Sequence, residues 1–70
     1  MPRFGPVKRS DLIAAFRALE FTGPHPGTRH AFMQRDNVRV RIPNQDINDR
    51  DLLREILKQA GVSRDEWESV

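Results

Sequence analysis

The sequence predicts an α+β domain of α-β-β-β-α order: a three-stranded antiparallel sheet with its helices on one face and a short C-terminal helical turn. Three observations predict it. Leu52, Leu53, Ile56, Leu57 and Ala60 recur at helical spacing, and Val38, Val40 and Ile42 alternate with Arg39 and Arg41 at strand spacing. Asp36-Asn37 then joins that strand to the apolar run before it, as a hairpin turn would. The length of 70 residues fits one domain, residues 1–70, and leaves no room for a second domain or a cofactor-binding fold. A chain this short buries only about 60% of the surface it exposes when unfolded, so the core must be thin.

Residues 1–8 read as an irregular lead-in, because Met1 to Val7 holds two Pro and one Gly. Ser10 suits an N-cap and Asp11 the positive end of a helix. Leu12, Ile13, Phe16 and Leu19 supply its apolar stripe, which predicts a helix from Asp11 to about Glu20. Phe21 and Thr22 allow a short strand. The Gly23-Pro24-His25-Pro26-Gly27 run that follows restricts any strand there to a short edge one.

His30 to Arg35 is the second strand candidate and Val38 to Ile42 the third, ended by Pro43-Asn44-Gln45. The second strand leaves its faces open: His30, Phe32 and Gln34 share one side, and Ala31, Met33 and Arg35 the other. Phe32 and Met33 read as core or sheet-face residues before any base-stacking role. The closing helix takes Asn48 or Asp49 as its cap and Gly61 as its stop. Ser63 and Glu66 match a capping box flanked by Val62 and Trp67, so a last helical turn should fold Trp67 back onto the core. With helices on one face, Arg39 and Arg41 would decorate the free one. That layout resembles the double-stranded RNA-binding fold.

The charge is uneven. Twelve Lys and Arg face ten Asp and Glu, a net of +2, yet residues 1–45 hold eight bases and three acids while residues 46–70 hold four bases and seven acids. Ten of the twelve bases are Arg, whose planar fork suits phosphate. A basic half-molecule is a plausible footprint for a nucleic-acid backbone. The chain has no Cys, which excludes disulfide scaffolds and thiolate metal sites and fits a reducing compartment. The longest apolar stretch, Leu12 to Phe16, is far too short to span a membrane, and no signal-peptide pattern opens the chain. The expectation is a soluble cytoplasmic protein with no membrane partner.

Little side-chain chemistry is available. His25 and His30 lack metal-ligand spacing, so no metal site is expected, and no glycine-rich phosphate loop occurs. On spacing alone His30 reads as an ordinary strand histidine, and His25, between two Pro, as a solvated loop residue. His30 nevertheless follows a Gly27-Thr28-Arg29 turn and lies near several Arg. An imidazole there could take a proton from a ribose 2′-hydroxyl or give one to a leaving oxygen, while Arg stabilises the phosphate.

Several segments together resemble one family. Ser10-Asp11-Leu12-Ile13 opens the first helix, and Leu19-Glu20-Phe21 ends it where the family often has Gly before Phe. Gly27-Thr28-Arg29-His30 stands for a Gly-Ser-x-His motif, and Val38 to Pro43 for a strand ending in Val-Pro. Leu53-Arg54-Glu55-Ile56-Leu57-Lys58-Gln59-Ala60-Gly61-Val62 is similar to a Leu-Arg-x-Ile-Leu-Lys/Arg-Gln-Ala-Gly-Ile segment. From about Lys8 to Trp67 the chain resembles the HicA (YcfA-like) toxins, small ribonucleases of bacterial toxin–antitoxin pairs.

The resemblance implies a double-stranded RNA-binding-like fold and cleavage of messenger RNA without metal or cofactor. It makes His30 the catalytic residue and Gly27 the motif glycine, with Thr28, Arg29, Arg39 and Arg41 as candidate phosphate binders. It also implies a HicB-like antitoxin as partner, with DNA reached only through that antitoxin. Two other readings stand beside it: a non-catalytic RNA-binding domain of the same fold, and a protein-interaction module.

Overall fold

A computed structural model gives the fold, described for residues 5–27 and 29–70. The elements are α1 (Arg9–Ala18), β1 (Thr22–His25), β2 (Ala31–Arg35), β3 (Val38–Ile42), α2 (Arg50–Ala60) and α3 (Arg64–Glu68). The strands form one antiparallel sheet in the order β1-β2-β3, which is the expected α-β-β-β-α architecture. Among the described residues, no helix is long and apolar enough to cross a membrane.

The start of α1 differs from the sequence expectation. The helix begins at Arg9 and ends at Ala18, with Lys8 at the cap position and no side-chain cap of its own. Ser10 lies inside the first turn rather than before it. The cap comes instead from far along the chain. Val7 and Ile47 exchange two backbone hydrogen bonds of 2.8 Å, which set Asp46 beside the helix start. Its Oδ1 accepts the Arg9 backbone N–H at 2.9 Å, and the Arg9 Nε donates to the Pro43 carbonyl at 2.8 Å. A carboxylate there satisfies an orphan N–H and faces the positive end of the helix dipole.

At the other end of α1, Glu20 takes the left-handed conformation, φ 71. Its N–H donates to Arg17 O at 3.0 Å, and the Phe21 N–H donates to Phe16 O at 2.9 Å, the paired bonds of a Schellman close. Glutamate thus fills a position that usually falls to glycine.

β1 runs through Gly23-Pro24-His25, further than Phe21-Thr22 suggested, and the Gly23–Pro24 peptide is cis. Its edge position, and the irregular register between Thr22 and His25, accommodate a proline that has no N–H to donate. β2 starts at Ala31, so His30 sits in a bend before the strand rather than opening it. Asp36-Asn37 turns into β3 as expected.

α2 begins after Asp49, whose Oδ1 accepts the Asp51 N–H at 2.8 Å, and stops at Gly61, φ 69. The Ser63/Glu66 capping box is present at the start of α3. The core forms where both long helices meet one sheet face: Leu12 and Phe16 of α1, Leu53, Ile56 and Leu57 of α2, and Met33, Val40 and Ile42 of the sheet. No polar or charged residue is buried among the described ones. Trp67 is fully buried and its ring lies 6.0 Å from that of Phe16, so α3 is anchored onto α1 by one large side chain. Leu52, counted with the apolar stripe, is 37% exposed, because it flanks the buried face.

Candidate functional site on the open sheet face

Met33, buried opposite Val40, decides which way β2 faces. Side chains alternate along a strand, so Phe32 and Gln34 must stand on the other face. They pair there with Arg41 and Arg39 respectively. His25 of β1 pairs with Phe32 from the opposite side, with the two rings 5.3 Å apart and tilted by 40°. Arg39 leans diagonally so that its Cζ lies 4.8 Å over the Phe32 ring. The half-buried phenyl ring therefore stands between an imidazole and a guanidinium.

The imidazole of His25 is oriented. The Thr22 hydroxyl lies 3.0 Å from His25 Nε2 and 3.1 Å from Gln34 O, within hydrogen-bond distance of both. His25 is thus an ordered strand residue rather than a solvated loop one.

Beyond β1 the chain doubles back so tightly that a Cβ on Gly27 would collide with the carbonyl oxygen of His30. This gives the motif glycine a steric reason: no other residue lets the turn close on His30 without moving its backbone. His30 is half-buried. Its Nδ1 is completely buried and has no hydrogen-bond partner. An unsatisfied buried nitrogen costs about 1–3 kcal/mol, and such groups need an explanation when they occur in a folded chain.

His30, Phe32, Arg39 and Arg41 line an open groove of about 930 Å³ together with Gly27 and Arg29. Four of the sequence-predicted residues, His30, Arg29, Arg39 and Arg41, are thus brought together beside the motif glycine. Thr28 lies outside the described residues. Phe32 and Gln59 of α2 line the same groove and were not singled out as site residues. Only the unresolved face of β2 hid Phe32. Gln59 carried no such signal, being one polar residue on the solvent side of an amphipathic helix.

Three guanidinium groups share this groove with no carboxylate lining it. Among the described residues none of the three forms an ion pair, whereas Arg54 pairs with Asp51 and Arg64 with Glu68 on the helices. The other described arginines of the basic half are occupied differently. Arg9, Arg17 and Arg35 each donate to a backbone carbonyl, those of Pro43, Gly23 and Leu19. Arg35 also lies 4.6 Å over the Phe21 ring. The excess of positive charge is therefore divided between ties that hold α1 to the sheet and a cluster left facing the groove. An anion entering it would relieve the mutual repulsion of that cluster.

Among the described residues, no three His, Asp or Glu side chains come together as metal ligands. What the groove offers is one imidazole, three fixed positive charges and an aromatic ring. No protein-family model matches the chain, and neither a curated protein nor a solved structure does.

Proposed function

We propose that this protein is a small endoribonuclease of the HicA kind, the toxin of a toxin–antitoxin pair, acting on messenger RNA in the cytoplasm. The convergence of His30 with Arg29, Arg39 and Arg41 on one groove carries this proposal. His30 is the general acid/base. It accepts the proton of a ribose 2′-hydroxyl, whose oxygen forms a bond to the adjacent phosphorus. The bond from phosphorus to the 5′-oxygen then breaks, and a proton passes to that leaving oxygen. The products are a 2′,3′-cyclic phosphate and a 5′-hydroxyl end. The guanidinium groups bind the phosphate and stabilise the charge that grows on its oxygens in the transition state. The chain supplies no nucleophile because the RNA supplies its own, and no metal is required by this route. A HicB-like antitoxin would silence the protein by covering the groove, and DNA would be contacted only through that partner.

The test is RNA degradation by wild type and His30→Ala in the presence of a chelator. Wild type should yield fragments with cyclic phosphate ends. His30→Ala should cut about 10²–10⁴ times more slowly, the usual contribution of a positioned acid/base group. Equal rates would remove His30 from the reaction. Intact RNA retained in a salt-dependent manner by both proteins would place the chain among non-catalytic RNA-binding domains instead.

A further inference from the structure

The Phe32 ring has no task in the chemistry above, yet it stands at the centre of the open face. A core residue would not be placed there: its neighbours in the same strand, Ala31 and Met33, are the ones turned to the helices, and Phe32 lines the groove with His30. One side of the ring is backed by His25, which the Thr22 hydroxyl holds in place. On the β3 side lies Arg39, an exposed side chain on a long flexible stem, with its Cζ 4.8 Å from the ring centroid. A guanidinium stacked over an aromatic ring is the arrangement into which a nucleobase inserts, taking the ring on one face and the guanidinium on the other.

We infer that Phe32 and Arg39 form a stacking subsite for one unpaired nucleobase, and that the groove therefore selects single-stranded RNA. Arg39 swings outward by one base thickness and closes over the base from above, which leaves the phosphate contacts of the bound state to Arg29 and Arg41. A base within a duplex has both faces covered by its neighbours and cannot enter. Arg29 and Arg41, lining the same groove, hold the flanking phosphates and set the strand so that one linkage lies at His30. The inference rests on the ribonuclease proposal for the identity of the polymer, but binding and cleavage are tested separately.

The binding test uses the full wild-type chain and a short 2′-O-methyl oligoribonucleotide, which cannot be cut through a 2′-hydroxyl, with 2-aminopurine placed at successive positions. Stacking should quench the fluorescence at one position, and annealing a complementary strand should abolish both the quench and tight binding. Phe32→Leu, which keeps apolar bulk but removes the ring, should weaken Kd about 5- to 150-fold, and Phe32→Tyr should restore it. An abasic site at the quenched position should cause the same loss on the unaltered protein, which keeps the test independent of how well Phe32→Leu folds.

Duplex binding as tight as single-strand binding, or an abasic scan that is flat along the oligonucleotide, overturns the inference. Phe32-dependent binding with ordinary RNA left uncut leaves the stacking subsite standing and removes the ribonuclease proposal. Cleavage of ordinary RNA at equal kcat/KM by wild type and Phe32→Leu does the reverse.

Discussion

Replacing Asp46 with alanine should destabilise the protein although Asp46 is exposed and belongs to no helix or strand. Its carboxylate accepts the Arg9 N–H at 2.9 Å, and the cap residue Lys8 offers no side-chain acceptor of its own. Loss of a side-chain cap costs about 0.5–2 kcal/mol, and loss of the negative charge near the helix start about 0.3–1 kcal/mol. Solvent screening at this exposed site favours the low end of both, a total of about 1 kcal/mol. A domain of this length has an overall stability of roughly 3–10 kcal/mol, so the change is a large fraction of it. In a thermal melt followed by far-ultraviolet circular dichroism, about 1 kcal/mol lowers Tm by about 4–8 °C for so small a domain. Asp46→Asn keeps an acceptor and should fall between. The informative control is Ser10→Ala, because Ser10 looks like the cap in the sequence but lies within the first turn. Alanine is the better helix former there, so Tm should stay level or rise slightly. The reasoning fails if Ser10→Ala lowers Tm as much as Asp46→Ala does, or if Asp46→Ala leaves Tm unchanged.

Two further substitutions address the helix end and the turn. Glu20→Gly should raise Tm by a few degrees, since a non-glycine residue at φ 71 carries a penalty of about 1–2 kcal/mol, partly offset by the greater freedom of glycine when unfolded. Differential scanning calorimetry would show it, and an unchanged or lower Tm would contradict the strain assigned to Glu20. Gly27→Ala should reduce RNA cleavage about tenfold to a hundredfold at temperatures well below its Tm, because the added Cβ displaces the backbone of His30. Full activity with an unaltered Tm would show that the turn tolerates a side chain.

What could be read from the sequence follows from how local each signal is. Asp49, Gly61 and the Ser63/Glu66 box cap helices within a few residues of themselves, and each stands where expected. The alternation of Val38 to Ile42 likewise assigned Arg39 and Arg41 to the open face without help from any other strand. The start of α1 was misplaced because its cap lies 37 residues away, brought near by the Val7–Ile47 bridge. No window along the chain contains that information. Phe32 was ambiguous for a related reason. A run of apolar residues with no polar alternation names a strand without naming its faces, and only the packing of Met33 opposite Val40 chooses. The charge split singled out one half of the sequence but could not separate Arg39 and Arg41, which line the groove, from Arg9, Arg17 and Arg35. That separation depends on which guanidinium meets a backbone carbonyl.

The ties around Arg9 also bear on which part of the sheet can come apart. A β-hairpin ordinarily frays at the end remote from its turn, which here is the Ala31–Ile42 pair, the end next to His30. That end continues directly into Pro43, whose carbonyl is held by Arg9, and then into the segment locked to Val7 and capping α1 through Asp46. Freeing the β3 side of that pair means breaking these ties to α1, which costs more than the fraying of a loose strand end. Amide hydrogens at this end of β3 should therefore exchange more slowly than those of a free hairpin end. The end of β3 beside His30 is thus the part of a hairpin that would otherwise be the most mobile, and here it is tied to α1.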